Sequence, residues 1–225
     1  MKAMILAAGE GRRLRPLTRT TPKPLLRIGD QSLIERHVER LVSAGFTAIV
    51  INLFHLADQF ELVLGDGQDL GAEITYVKEP GLLETGGGIT NALDCLGNGT
   101  RESENFVVVS GDIYTDYEFE KLPRALPTSA LGHLVMVDNP EHHPAGDFAV
   151  DREGSLVHDG NRLTYSGISV LSMRLFSGCQ VTRFPLRKLL DQAISSRQLT
   201  GEHYAGFWAD VGTPERYEWL QAEKG

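Results

Sequence analysis

Residues 3–18 read AMILAAGEGRRLRPLT, and residues 21–26 read TPKPLL. The apolar run at 3–8 predicts a buried strand, and two glycines and several arginines follow it at once. Glycine lets a backbone approach a ligand closely, and turn amides can form an anion site that arginine and lysine reinforce. Because an open parallel sheet binds its ligand beyond the end of a strand, we expect a phosphate-binding loop here.

This loop matches neither of two common phosphate motifs. A Walker loop needs Gly-Lys followed by Ser or Thr, which is absent after these glycines. Gly9-x-Gly11 also lacks the third glycine of the dinucleotide fingerprint, which would fall at Leu14, and Pro16 disfavours a helix there. These departures argue against a P-loop enzyme and against a nicotinamide dehydrogenase.

The charge pattern favours a small anionic ligand. The chain has 225 residues, a formal net charge of −8 and a pI near 5.4, so a non-specific nucleic-acid partner is not expected. Basic residues nevertheless cluster within 12–27, at Arg12, Arg13, Arg15, Arg19, Lys23 and Arg27. An acidic protein with one local basic loop suits a phosphate compound better than a polyanion.

The cysteines and the apolar segments of the sequence indicate the cellular compartment of the protein. Cys95 and Cys179 lie far apart and lack metal-type spacing, which is typical of ordinary thiols in a reducing compartment. The sequence shows neither an apolar stretch of about 18 residues nor a signal segment. We therefore expect a cytoplasmic protein without a membrane partner, and the sequence leaves monomer and homodimer equally open.

The order of predicted elements indicates the fold class. Strands are predicted at 3–8, 47–53, 73–77, 106–110, 131–137, 148–150, 155–157, 163–171 and 204–211, and helices at 31–43, 55–64, 85–96, 118–126, 186–196 and 214–223. Alternation through the first half predicts an α/β, three-layer, Rossmann-like fold with a mixed, mostly parallel central sheet and a small antiparallel part. We expect one domain over 1–225, with a nucleotide-binding N-terminal half and an acceptor-binding C-terminal half.

The complete string is more specific than its glycines. Leu-Ala-Ala-Gly-x-Gly-x-Arg-x-Arg-Pro-Leu-Thr, followed by Pro-Lys-Pro-Leu, resembles the signature of the sugar-1-phosphate nucleotidyltransferases. The resemblance implies that a sugar 1-phosphate attacks a nucleoside triphosphate and releases pyrophosphate. It implies that Arg13 holds the β- and γ-phosphates and Lys23 the reacting α-phosphate, both as catalytic residues. The nucleotide contacts that it implies in this loop are Leu6, Ala7, Ala8, Gly9, Gly11, Arg13 and Lys23.

A second string, EPGLLETGGG at 79–88, opens a predicted helix with glycines and free amides. By the same resemblance, Glu79 and Gly86 contact the base or ribose of the nucleotide. The alternative is that this helix needs glycine only for close packing. Both readings remain open at the level of the sequence.

Two further strings carry candidate metal ligands. Asp112 follows the apolar strand of VVVSGD, and Asp210 lies in WADVGTPE at 208–215. The resemblance makes both of them ligands of Mg²⁺, with Asp112 also a nucleotide contact, and magnesium is usually held by one or two carboxylates and substrate phosphates. His142 and His143 lie in a proline-flanked loop and are predicted to form a turn rather than a metal site.

The second half of the chain indicates which members of this family it resembles. The segments at 137–148, 165–171 and 201–204 are similar to the short uridylyltransferases that use UTP and N-acetylmuramate 1-phosphate in peptidoglycan recycling. The Glu-Lys-Pro string of many glucose-1-phosphate relatives is missing. On this basis, the predicted sugar contacts are Asn139, Asp147, Ser166, Gly167 and Glu202, since carboxylates and amides suit sugar hydroxyls.

The sequence is also compatible with other functions. The same chemistry could serve mannose 1-phosphate with GTP, or glucose 1-phosphate with UTP or dTTP. A non-catalytic nucleotide-sensing subunit is a different class. The joint presence of Arg13, Lys23, Asp112 and Asp210 favours an enzyme.

Overall fold

The computed structural model describes residues 1–97 and 104–225. Its strands are β1 (Ala3–Leu6), β2 (Arg27–Ile28), β3 (Gln31–Ser32), β4 (Ala48–Leu53), β5 (Glu73–Lys78), β6 (Asn105–Ser110), β7 (Ile113–Thr115), β8 (Gly132–Val137), β9 (Phe148–Val150), β10 (Leu156–Val157), β11 (Arg162–Ser172), β12 (Leu199–Tyr204) and β13 (Trp208–Asp210). Its α-helices are α1 (Leu33–Ser43), α2 (Asp58–Leu64), α3 (Glu84–Leu96), α4 (Arg187–Ser195) and α5 (Pro214–Lys224).

The central sheet is mixed and mostly parallel, which confirms the predicted fold class. Its strands run in the order β12–β8–β11–β6–β1–β4–β5. β1 is parallel to β4 and β6, and β4 is parallel to β5. β11 is antiparallel to both β6 and β8, and the short β9–β10 pair continues from its first residues.

Helices cover both faces of this sheet and make three layers. Ile34 of α1 and Phe60 of α2 belong to the apolar cluster on one face. Ile89 of α3 and Leu190 of α4 belong to the cluster on the other. A strand that is buried on both faces needs apolar side chains throughout, and this explains the unbroken VVV run of β6.

The helix start at Ser32 follows from local chemistry. The Ser32 side chain accepts a hydrogen bond from the Glu35 amide, and the Glu35 carboxylate accepts one from the Ser32 amide at 2.8 Å. This capping box satisfies two amides that a helix start leaves free. α1 therefore begins at Leu33, two residues after the predicted start, because Gln31 and Ser32 pair with Arg27 and Ile28.

The predicted strand at 204–211 is confirmed at Trp208–Asp210 and is wrong as one continuous strand. The chain instead forms β12, parallel to β8, and a separate β13, antiparallel to β7. The Tyr204 ring covers Gly206 so closely that an added Cβ would lie 2.2 Å from its hydroxyl oxygen, and the chain turns there. β12 has the sequence LTGEHY, whose glycine and polar residues carry little strand signal.

The predicted helix at 118–126 is also wrong. Only a 3₁₀ turn forms there, at Phe119–Lys121. Pro123 follows within two residues, and a proline disfavours helical backbone in the residue before it.

None of the helices in the two described ranges is long and apolar enough to cross a bilayer.

The loop after β1 folds back across the end of the sheet. It forms three short 3₁₀ turns, at Arg12–Leu14, Leu17–Arg19 and Lys23–Leu25. Beside it, the Gly111 amide donates to the Leu6 carbonyl at 2.9 Å. The ends of β1 and β6 and the three turns thus converge at one edge of the sheet.

Candidate active site

A cleft opens at this edge, and residues of the early loop line its first part. We call this part the nucleotide end because it contains most of the residues predicted to contact a nucleotide. The described residues that line the nucleotide end are Leu6, Ala7, Ala8, Gly9, Gly11, Lys23, Pro24, Asn52, Glu79, Leu82, Glu84, Thr85, Ser110 and Asp112. Most residues predicted to contact a nucleotide therefore share one concave surface.

Glycine is needed at Gly11 for two reasons. Its φ is +59°, and an added Cβ would lie 2.7 Å from Cγ2 of Thr18. The Thr18 hydroxyl donates to the Gly11 carbonyl at 2.8 Å, and the Thr18 carbonyl lies 2.8 Å from Nε2 of His55. The turn is thus tied to the following loop.

Gly9 is different, because an added Cβ would find open space and its φ is not in the left-handed region. We expect Gly9→Ala to leave the melting temperature unchanged and to raise the KM for nucleoside triphosphate about 10-fold, since the methyl group would enter the cleft. Gly81→Ala is the matched control, because Gly81 is equally open and lies outside the lining residues. An equal, small effect of both changes on KM would contradict close approach of a nucleotide to Gly9.

Asn52, at the end of β4, connects the loop to Glu79. Its Oδ1 accepts a hydrogen bond from the Ala7 amide at 3.0 Å, and its Nδ2 donates to Glu79 Oε1 at 2.7 Å. The other Glu79 oxygen accepts from the Leu83 amide at 2.9 Å. Glu79 therefore reaches the nucleotide end with both carboxylate oxygens engaged. The sequence analysis missed Asn52, although an amide at the end of an apolar strand could have indicated it.

The structure places Gly86 against Phe184 rather than in the lining. Its amide donates to the Phe184 carbonyl at 3.0 Å, and an added Cβ would lie 2.3 Å from the Phe184 ring. Close packing thus explains the glycine, while the neighbouring Glu84 and Thr85 line the nucleotide end. A nucleotide contact at Gly86 stays a prediction.

Asp112 and Asp210 lie on adjoining backbone segments although they are 98 positions apart in the sequence. The Val211 amide donates to the Asp112 carbonyl at 2.8 Å, and Asp210 pairs with Ile113 between β13 and β7. Both line the second part of the cleft. Lys23 Nζ lies 2.6 Å from Asp112 Oδ2, with the lysine side chain only 11% exposed.

Asp210 has two further partners. Arg216 Nη1 donates to Asp210 Oδ1 and lies 2.6 Å from Nε2 of His142, which is itself 3.1 Å from Asp210 Oδ1. Arg216 passes so close to Gly212 that an added Cβ would lie 1.8 Å from its Nη2. Gly212 therefore gives Arg216 access to Asp210. The sequence analysis missed this arginine, and no local signal marks it.

The second part of the cleft continues from the first, and we call it the sugar end because it contains three of the residues predicted to contact a sugar. Its described lining residues are Leu6, Arg13, Thr85, Ser110, Asp112, Ile113, His142, His143, Asp147, Phe148, Thr164, Tyr165, Ser166, Gly167, Pro185, Leu186, Arg187, Leu190, Trp208 and Asp210. Leu6, Thr85, Ser110 and Asp112 line both ends. Three of the predicted sugar residues, Asp147, Ser166 and Gly167, are therefore present here.

A bulge in β11 contains two of these residues, Ser166 and Gly167. Gly167 has a φ of +84°, and an added Cβ would lie 2.5 Å from Oγ of Ser110. The Ser166 hydroxyl donates to the Val135 carbonyl at 2.7 Å, and the Ser166 carbonyl accepts from Nε1 of Trp208 at 2.9 Å. Ser166 thus supports the wall of the cleft through its bonds to neighbouring strands.

Asn139 and Glu202 are not among the described residues that line either end. The Asn139 amide donates to the Arg162 carbonyl at 2.9 Å, and its oxygen accepts from the Thr164 hydroxyl at 2.9 Å. The Glu202 carboxylate accepts a hydrogen bond from the Tyr117 hydroxyl. The structure therefore gives both side chains supporting contacts, and direct contact with a sugar stays a prediction.

The arginines of the early loop differ in what they face. Arg12 pairs with Glu10 at 2.8 Å. Arg13 lines the sugar end, as Asp112 does, and makes no ion pair within the two described ranges. Its guanidinium is thus available to an anion in the cleft.

Two buried groups near the cleft have displaced pKa values. Burial raises the pKa of Tyr165 to about 12, although a hydrogen bond to Ser169 opposes this. Burial lowers the pKa of His37, behind β7, to about 4. Both side chains are therefore neutral near pH 7, and the phenol of Tyr165 is a poor proton acceptor there.

The fold and the cleft together define a nucleotide-binding α/β protein with paired carboxylates beside a lysine. The family described as nucleotidyl transferase matches residues 2–160, and the chain belongs to this family. It is 43% identical to N-acetylmuramate alpha-1-phosphate uridylyltransferase of Neisseria meningitidis serogroup B, over 100% of this chain and 99% of that protein.

Other similar proteins share the fold. The chain is 32% identical to mannose-1-phosphate guanyltransferase of Aspergillus fumigatus, over 96% of its own length and 62% of that longer relative. A Bacillus anthracis structure assigned as a glucose-1-phosphate thymidylyltransferase superposes with a TM-score of 0.82 at 20% identity, over 100% of this chain and 95% of that one. HddC of Yersinia pseudotuberculosis, in complex with GMP-PN, gives a TM-score of 0.77 at 22% identity, over 99% and 98%.

Proposed function

We propose that this protein transfers the uridylyl group of UTP to N-acetylmuramate α-1-phosphate, giving UDP-N-acetylmuramate and pyrophosphate. The observation that carries the proposal is the 43% identity to a protein of that activity over essentially both full lengths. The mannose-1-phosphate guanyltransferase of A. fumigatus is less similar, at 32%, and is matched over 62% of its length. The cytoplasm and peptidoglycan recycling are the location and the process that we propose.

The chain's own residues suit an in-line displacement. A phosphate monoester has a second pKa of about 6, so the attacking sugar phosphate is largely ionised near neutral pH. No side chain is then required to remove a proton. The work that remains is to hold two anions together and to neutralise charge as pyrophosphate leaves.

We assign this work to two cations, Lys23 and Arg13. Lys23 is mostly buried between two prolines, at the junction of the two ends of the cleft, and holds its ammonium beside Asp112. It would contact the α-phosphate. Arg13 lines the sugar end, which adjoins the nucleotide end at Asp112, and would hold the β- and γ-phosphates. Fixed cations stabilise a developing charge without reorganisation during the reaction.

The residues present also fit a magnesium ion. Asp112 and Asp210 offer oxygen ligands from adjoining segments, and the described residues contain no group of three acidic, histidine or cysteine side chains that could hold a metal alone. Magnesium commonly binds one or two carboxylates and completes its shell with water and substrate phosphates. When bound, Mg²⁺ would neutralise charge on the triphosphate.

We treat residues 1–225 as one catalytic domain. The sheet continues from the nucleotide-binding strands β1 and β6 into β11 and β8, which carry the sugar end. The first half of the chain would then hold the nucleotide and the second half the acceptor.

Product analysis tests the proposal. The protein would be incubated with UTP, N-acetylmuramate α-1-phosphate and Mg²⁺, and the products identified by mass spectrometry. We expect UDP-N-acetylmuramate and pyrophosphate in equal amounts. Binding of nucleotide without any product, from any sugar phosphate offered, would instead support a nucleotide-sensing subunit.

A further inference from the structure

The sugar end contains an arginine that the mechanism above does not use. Among its described lining residues the permanently charged cations are Arg13, assigned to the triphosphate, and Arg187. Arg187 is the first residue of α4, and 46% of its side chain is exposed. The sequence analysis did not single it out.

The Arg187 guanidinium is held in place on three sides. It lies 4.3 Å above the centre of the Phe148 ring. Its Nη1 is 3.1 Å from Asp147 Oδ1, and its Nε donates to Asp191 Oδ1 at 2.8 Å. Asp147 is itself fixed, because its Oδ2 accepts a hydrogen bond from the Tyr165 amide at 2.9 Å. The Phe148 ring and Asp147 therefore preorganise the guanidinium.

This arrangement leaves donors for a ligand. A guanidinium carries five N–H groups, and Nη2 of Arg187 has no hydrogen bond to any residue in the described ranges. The Asp191 pair is an exposed contact between residues four apart on one helix, with Asp191 40% exposed. Such pairs are weak, so another carboxylate can take the edge formed by Nε and Nη2.

The proposed substrate supplies such a carboxylate. N-acetylmuramate differs from N-acetylglucosamine by a lactyl ether that ends in a carboxylate. We infer that Arg187 binds this lactyl carboxylate in a bidentate fashion and thereby distinguishes the acidic sugar from its neutral counterpart. Asp147 then acts as a positioning residue for Arg187. This inference rests on the proposed function.

Other cations fit this role less well. His143 lies 3.4 Å from Asp147 Oδ1 and lacks a permanent charge. Arg162 donates through Nε to the His158 carbonyl, and neither it nor Arg152 is among the described residues that line the sugar end.

Steady-state kinetics with two acceptors test the inference. We expect Arg187→Ala to raise the KM for N-acetylmuramate 1-phosphate about 10- to 100-fold, since a charge-assisted contact is lost. The kcat, and the KM for N-acetylglucosamine 1-phosphate, should stay within about 3-fold. Lys188→Ala, which removes the same charge from the next residue of α4 outside the cleft, should change neither KM. Asp191→Asn should lower the KM for the acidic sugar, because it frees the guanidinium edge.

Three outcomes of these measurements distinguish a failure of the inference about Arg187 from a failure of the proposed function. If the wild-type protein uses N-acetylmuramate 1-phosphate and Arg187→Ala keeps its preference, the inference fails and the function stands. An equal rise in KM for both acceptors would assign Arg187 a structural role and would also overturn the inference. If the wild-type protein does not use the acidic sugar, the proposed function fails, and the inference fails with it.

Discussion

Asp112→Asn is expected to lower kcat for nucleotidyl transfer by at least about 10²-fold while the protein stays folded. The change keeps the size of the side chain but removes one of the two carboxylates that face the cleft from adjoining segments. It also removes the charge 2.6 Å from Lys23 Nζ, so the ammonium loses its fixed partner. Pyrophosphate release at saturating substrates measures kcat, and circular dichroism checks the fold.

Asp116→Asn is the matched control for this change. Asp116 lies just after β7, pairs with Arg36 and Lys224, and is outside the described lining of the cleft. It should lose some thermal stability but keep its turnover. A near-normal kcat for Asp112→Asn, over a range of Mg²⁺ concentrations, would remove Asp112 from the proposed metal site.

Lys23→Ala is expected to lower kcat about 10²- to 10³-fold and also to raise the KM for nucleotide. Lys23 begins a 3₁₀ turn between Pro22 and Pro24, so its ammonium is held where the two ends of the cleft meet. A cation fixed beside the reacting phosphate stabilises charge that develops in the transition state, which affects the chemical step.

Arg12→Ala serves as the control for Lys23. Arg12 belongs to the same basic loop, but it is 71% exposed and pairs with Glu10. Its loss should leave kcat and KM close to the wild-type values. If Lys23→Ala changed only the KM for nucleotide, Lys23 would bind the ground state and the transition state equally, and its proposed role at the α-phosphate would be wrong.

The sequence predicts the first half of the fold well because strong local patterns mark it. β1, β4 and β6 are mostly apolar runs, and burial on both faces of a parallel sheet produces such runs. The helix α1 carries its own start signal at Ser32 and Glu35. Local chemistry and tertiary position agree in these elements.

The second half is harder to predict because its strands depend on their neighbours. β12 has little apolar character and is stabilised by its parallel pairing with β8, which only the folded chain supplies. β7 and β13 are three residues each and form because they pair with one another. Short segments of this kind carry too few residues for a period to show.

The residues of the candidate site also fall into two groups: those that local motifs indicate, and those whose roles depend on distant contacts. Motif strings lead to Lys23, Asp112 and Asp210, and the structure brings all three to one cleft. Arg216 and Arg187 lie on helices with unremarkable local sequence, and their roles come from contacts with distant residues.

The most direct test of this account measures pyrophosphate release with Mg²⁺ for every pairing of four nucleoside triphosphates with four acceptors. The nucleotides are UTP, GTP, ATP and dTTP, and the acceptors are the 1-phosphates of N-acetylmuramate, N-acetylglucosamine, glucose and mannose. We predict the highest kcat/KM for UTP with N-acetylmuramate 1-phosphate. A maximum for GTP with mannose 1-phosphate, or for glucose 1-phosphate with UTP or dTTP, would contradict the proposed substrate pair.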